Sequence, residues 1–210
     1  MTVRSDSSTI HLVLASASPR RRELLGMIGL RFHVVPSTVE EAAADGETPT
    51  EHVRRLALAK ARQVSQKFPD LWVLGADTIV VKDRQFLGKP RNALEAKAML
   101  TKLARATHRV FTAYALVMAS RPELERVRDF CSSVHLRDLS SDEIDAYIDT
   151  GEPMDKAGAY AIQGIGSAIV DRISGSYTNV VGLPLCEVAQ DFRELGIFDF
   201  LLSNRFHDRR

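Results

Sequence analysis

Apolar positions along this chain fall alternately into compact runs and into helical spacing. Ile10 to Ala15 is a short apolar run that reads as a buried strand, and Ser18 to Met27 follows as a helix. From Thr50 to Phe68 the apolar residues Val53, Leu56, Ala57, Val64 and Phe68 mark one face of a longer helix, with Thr50 as its expected N-cap. Leu71 to Val81 is a strongly apolar strand, and Asn92 to Ala104 a helix. Thr107 to Met118 and Arg126 to Arg137 read as two strands around the turn signal Ser120-Arg121-Pro122. Ser140 to Glu143 forms a capping box opening a helix to Thr150; Ala168 to Ile173 reads as a strand and Val181 to Leu195 as a helix. This alternation predicts an α/β fold with a mixed sheet.

Composition narrows the classes. The 210 residues are 45% hydrophobic and 26% charged, the balance of a globular protein able to bury a sizeable core. With 28 basic and 27 acidic residues the net charge is +1, so no overall field draws the chain to nucleic acid or to an anionic membrane. No apolar run reaches the roughly 20 residues of a membrane span, and the first ten residues lack a signal-peptide core. Cys131 and Cys186 are isolated from each other and from histidine, against zinc and against a disulfide framework. The expected compartment is the cytoplasm.

Four places break the hydrophobic pattern. Ser16-Ala-Ser-Pro-Arg-Arg-Arg22 follows the first strand, Ser18 and Pro19 suit a helix start, and three arginines crowd the first turn. The helix dipole there opposes cations by ~0.3–1 kcal/mol per group. An anion held among the N–H groups and guanidiniums resolves the conflict; solvated arginines at a surface end are the alternative. Lys60 stands within the apolar stripe of the long helix, where it snorkels or meets an anion. Asp77 interrupts the apolar strand behind the small pair Gly75-Ala76, which leaves room for a close approach, and such a carboxylate is paired, hydrogen-bonded or metal-bound. Gly88-Lys89-Pro90 is a lysine in a turn, lacking the remainder of a Walker A motif. The segment from Glu152 to Gly164 is dense in charge and glycine; Gln163 within it stabilises a turn or reads an adjacent donor and acceptor on a base edge. Glu40-Glu41 is a solvated acidic pair or a metal ligand. Together these supply cations for phosphates, carboxylates for a hard cation and an amide for a base.

The strings Leu14-Ala-Ser-Ala-Ser-Pro-Arg-Arg21, Gly75-Ala-Asp-Thr78, Gly88-Lys-Pro90, Asp155-Lys-Ala-Gly-Ala-Tyr-Ala-Ile-Gln-Gly164 and Val181-Gly-Leu-Pro-Leu185 resemble, in order, the motifs of the Maf family of nucleoside triphosphate pyrophosphatases. The match runs from about Ile10 to Phe192. The resemblance implies an elongated α/β, inosine-triphosphatase-like fold with a mixed sheet and a cleft between two lobes. Residues 1–9 would be a flexible extension and 10–210 one domain. It implies hydrolysis of a nucleoside triphosphate to the monophosphate and pyrophosphate with a divalent metal, Mg2+ or Mn2+. Arg20, Thr78 and Gln163 stand as in the members acting on dTTP and UTP, while Ala161 replaces a usual glycine.

Carried over residue by residue, Asp77 is the expected general base and a metal ligand, with Glu41 as the second ligand. Ser16, Arg20, Lys60 and Lys89 would hold the triphosphate, and Gln163 with Thr78 would read the pyrimidine. The expected partners are the nucleotide and a second copy in a homodimer, with no stable nucleic acid and no membrane. The alternatives are the same chemistry on another base, such as 7-methyl-GTP, and a nucleotide-binding regulator of septum formation.

Overall fold

The computed structural model describes residues 11–198; the expected extension, 1–9, lies outside the described residues. In chain order the elements are β1 (Leu12–Leu14), α1 (Pro19–Met27), β2 (His33–Val34), α2 (Pro49–Ser65), β3 (Trp72–Lys82), β4 (Gln85–Leu87), α3 (Ala93–Leu103), β5 (Thr107–Val117) and β6 (Arg126–Leu136). They continue with α4 (Ser141–Asp149), a run of 3-10 turns over 152–168, β7 (Val170–Ser174), α5 (Tyr177–Val181) and α6 (Leu185–Glu194). The strands form one sheet in the order β2-β1-β3-β5-β6-β7, with β4 alongside β3. The pairs β2-β1 and β1-β3 are parallel and the others antiparallel, the mixed sheet that the alternation predicts. Among the described residues no helix is long and apolar enough to cross a membrane.

Several boundaries shift by a few residues from the sequence expectation, and two of the shifts have a clear local cause. The N-cap of α2 is Thr48, not Thr50: Pro49 takes the first helical position, and Thr48 and Glu51 close a reciprocal capping box. Of the helix expected over Val181 to Leu195, Leu185–Glu194 is helical (α6), while Val181 is the last residue of α5, because Gly182 (φ +128°) turns the chain and Pro184 cannot continue α5. At the β3–β4 hairpin Asp83 and Arg84 both adopt positive φ, the geometry of a two-residue turn matched to strand twist.

Strand alternation divides the core. Val73, Ile79 and Val81 of β3 and Ala113 and Ala115 of β5 face α2, which packs on them with Val53, Ala57, Ala61 and Val64. The opposite face carries two separate clusters. One gathers Leu74, Ala76, Tyr114 and Leu116 under α1 and α6; the other gathers Val80, Val110 and Val134 under α3 and α4. Along the β3–β5 ladder the rung Ala76–Tyr114 belongs to the first and Val80–Val110 to the second. The rung between them is Thr78–Thr112, two hydroxyls where an apolar pair would have joined the cores. A cleft opens at that seam.

The edges of β3 give the cleft its floor. One edge is paired with β5 from Val73 to Val81. The other is shared: β1 pairs residues 72–74 and β4 pairs residues 80–82. On that edge the five residues between them, 75–79, have no strand alongside among the described residues, so Asp77 and Thr78 stand on an open stretch of sheet edge.

Candidate active site

The cleft has a volume of about 330 Å³, within the range of small-molecule sites. Its wall is polar where the chain leaves β1, at Ser16 and Arg21, and partly apolar at Val80, Val110 and Tyr160. All eight residues singled out from the sequence line it: Ser16, Arg20, Glu41, Lys60, Asp77, Thr78, Lys89 and Gln163.

Asp77 and Lys60 form its deepest part. Asp77 points toward α2, and Lys60 Nζ donates to its Oδ1 at 2.6 Å; the two residues are 6% and 5% exposed. Lys60 therefore does not snorkel. It is neutralised in place, as a buried ammonium must be. The same Nζ reaches Glu41 Oε1 at 2.5 Å, from a loop whose carboxylate is half in solvent. Burial raises the Glu41 carboxyl, but the Lys60 hydrogen bond and charge, with Lys89 and Arg21 beyond, outweigh it and hold the pKa below the ordinary value. The small residues before Asp77 have a specific use. A Cβ on Gly75 would lie 2.3 Å from Ala57 O and 2.7 Å from Ala61 N, so the room predicted there is filled by the backbone of α2. That approach brings Lys60 within reach of Asp77.

The acidic loop is fastened to α2 on both sides of Lys60. Gln63 exchanges hydrogen bonds with Thr38 through its Oε1 (2.8 Å) and Nε2 (2.9 Å). Arg55 donates to Glu47 at 2.6 and 2.8 Å and to Ala42 O at 3.0 Å. The Arg55 guanidinium chiefly, helped by Ala44 N–H and His52 and opposed by burial, lowers the Glu47 pKa to about 2.

The arginine cluster resolves differently from expectation. Arg20 turns across the cleft mouth to Asp155, with Nη1 3.4 Å from Oδ2. Arg21, which the sequence did not single out from its neighbours, enters the cleft. Its Nε donates to Gly182 O (2.8 Å), Nη1 to Ser16 Oγ (3.2 Å) and Nη2 to Thr78 Oγ1 (3.0 Å). Burial lowers its pKa, partly offset by Asp77 and Glu41; a guanidinium still keeps its proton. Behind it, Thr78 Oγ1 and Thr112 Oγ1 are 2.9 Å apart, and Thr112 donates to Asn179 O at 2.9 Å. One signal could have picked out Arg21: Ser18 caps the helix and Arg21 stands three residues on, at the free N–H end.

Lys89 is exposed on its loop, which Gly158 N–H ties down through Gly88 O at 3.0 Å. Gln163 has extended backbone (φ −109°, ψ 167°) and its side chain hydrogen-bonds to no other described residue. Lys156 pairs with Asp155, the simple ion pair that the sequence allows. Whether a divalent cation fits is decided by the donors. Asp77 and Glu41 converge on one point, now filled by the Lys60 ammonium, and both are hard oxygen ligands. No group of three or more His, Cys, Asp or Glu able to hold a metal exists among the described residues. Such a set suits an ion that completes its shell with phosphate oxygens and water.

The mixed sheet opens a cation-lined crevice beyond the carboxyl end of the parallel strand β1, the place at which the class of open α/β sheets offers its ligand sites. Within that class the chain belongs to the family described as Maf-like protein, which residues 11–195 match. The dTTP/UTP pyrophosphatase of Syntrophus aciditrophicus is 45% identical over 96% of this chain and 97% of its own length. That of Syntrophotalea carbinolica is 48% identical over 92% and 89%. Among solved structures, a HAM1 protein from Coxiella burnetii shares the fold with a TM-score of 0.50 at 17% identity, over 89% of this chain and 100% of that one.

Proposed function

We propose that this protein is a dTTP/UTP pyrophosphatase, converting each triphosphate and water to the monophosphate and pyrophosphate. The observation that carries the reading is the convergence of Asp77, Glu41 and Lys60 at the floor of a cleft that also holds Arg21 and the exposed Lys89. Carboxylates for water and metal, and cations for a polyphosphate, stand within one crevice. The base follows from relatives named for dTTP and UTP along nearly the whole chain.

Asp77 is the general base. Its Oδ1 is taken by Lys60, while Oδ2 accepts from no described residue and is free to take a proton from water. That water attacks the α-phosphorus, the bond to the bridging oxygen of the β-phosphate breaks, and pyrophosphate leaves with the electron pair. Arg21, fixed by three acceptors around its guanidinium, meets the phosphate oxygens without reorganising; Lys60, Lys89 and Arg20 add to the neutralisation. Ser16 Oγ lies beside Arg21 to donate to a phosphate oxygen. Asp77 and Glu41 would hold Mg2+ or Mn2+, which supplies charge neutralisation on the triphosphate and a more acidic water. Gln163, with Thr78 on the same cleft, reads the pyrimidine edge, where O4 accepts and N3–H donates. Two exposed free cysteines suit a reducing compartment, and we place the activity in the cytoplasm.

The test is pyrophosphate release from dTTP, UTP, CTP, GTP and 7-methyl-GTP with Mg2+ or Mn2+. Preference for dTTP and UTP supports the reading. Preference for 7-methyl-GTP overturns the base assignment, and tight binding without turnover overturns the enzyme in favour of a regulator.

A further inference from the structure

Glu152 and Tyr147 lie behind the cleft wall, yet the loop carrying Gln163 is folded around them. Glu152 Oε1 accepts from Gly166 N–H (2.8 Å) and from the Tyr147 hydroxyl (2.8 Å), and Oε2 accepts from Ile165 N–H (3.0 Å). The Tyr147 oxygen in turn accepts from Ala161 N–H at 3.1 Å. Three backbone donors on either side of Gln163 thus converge on one carboxylate–phenol pair. The winding leaves no slack. Gly164 has φ +66°, and a Cβ there would lie 2.4 Å from Glu152 Oε2; a Cβ on Gly166 would lie 2.3 Å from Ala161 O and 2.5 Å from the Tyr147 oxygen.

This frame matters because of what Gln163 is proposed to read. A carboxamide turned one way offers a donor to O4 and an acceptor to N3–H of uracil. Turned by 180° it offers an acceptor to the amino group and a donor to N3 of cytosine. The side chain alone therefore distinguishes the two bases poorly; the distinction comes from whatever fixes its position against the base.

We propose that Glu152 and Tyr147 are the positioning pair that gives this cleft its preference for uracil and thymine over cytosine. The proposal rests on the pyrophosphatase reading above. Neither residue lines the cleft, so neither touches the nucleotide. The acceptor-only chemistry of the carboxylate is essential. A glutamine at 152 keeps the size but presents an NH2 to backbone N–H donors, leaving at least one of them unpaired.

The experiment compares kcat/KM for UTP and CTP in the wild type, Glu152→Gln and Tyr147→Phe, with circular dichroism to establish folding. Glu152→Gln is expected to lower the UTP-to-CTP ratio about tenfold and Tyr147→Phe about threefold, the scale of a lost buried hydrogen bond, while kcat for UTP changes less than the ratio. A merely structural role would weaken both substrates in parallel. An unchanged ratio in folded Glu152→Gln overturns the proposal; should that variant not fold, an unchanged ratio in Tyr147→Phe does so. A wild-type protein that releases no pyrophosphate from UTP overturns the underlying reading instead, and this one with it.

Discussion

At the deep end of the cleft Asp77 stands on a long central strand and Lys60 on a seventeen-residue helix, both backed by apolar packing. At the other end Gln163 stands among 3-10 turns: Tyr160 and Ile162 before it pack against the core, and the N–H groups of Ala161, Ile165 and Gly166 on either side of it bond to Tyr147 and Glu152. The first arrangement fixes charges by burying them, so the elements that make the fold also make the site. The second fixes a polar reader through polar bonds that can change without unfolding the sheet. A protein built this way keeps its chemistry constant while its choice of base remains adjustable.

The largest effect should come from Asp77→Asn. The isosteric amide cannot act as a base, so turnover of UTP should fall by about 10³, while circular dichroism and gel filtration stay unchanged. Near-normal turnover would remove Asp77 from the reaction and dissolve the contrast between the two ends. Arg21 comes next: Arg21→Lys loses a planar fork with three acceptors and should lower kcat/KM about 100-fold. Arg20→Lys, whose parent is engaged at the exposed mouth with Asp155, should cost about tenfold or less. The reverse order would make Arg20 rather than Arg21 the principal phosphate contact. At the far end Gln163→Ala should cost about tenfold in kcat/KM for UTP and less for CTP, which kinetics on the two substrates would measure.

The smallest effect concerns the acidic loop. Arg55 holds the Glu47 pKa at about 2 against an ordinary 4.5. A carboxylate depressed in the folded state contributes stability in full above the unfolded pKa, and loses it as pH falls through the folded one. Urea midpoints measured from pH 5 to pH 2 should therefore fall more steeply for the wild type than for Glu47→Gln, and parallel curves would detach Glu47 from the folded state.

The sequence was most readable where a polar residue violated an apolar pattern. Asp77 and Lys60 stood out because burial makes each costly alone, and the structure pairs them. Glu41, Lys89 and Gln163 had ambiguous surroundings and gained their places through family resemblance. Arg21 was lost among three adjacent arginines, because apolar patterning says nothing about which of them faces inward and only its offset from the Ser18 cap sets it apart. Glu152 and Tyr147 were missed because a carboxylate that gathers backbone N–H groups leaves no periodicity. The break between α5 and α6 was legible in Gly182-Leu-Pro184, but apolar spacing on both sides masked it.

The missing side chain at Gly75 has a wider consequence. Lysine is usually regarded as a long tether that finds its partner by bending, yet here its reach is set by how deeply a whole helix sinks onto the sheet. One added methyl would lift that helix outward and separate the charges without altering either of them. The pair thus works as a depth gauge: it closes only where the helix lies at its full depth on the sheet, so the spacing of the layers and the competence of the site are one and the same quantity.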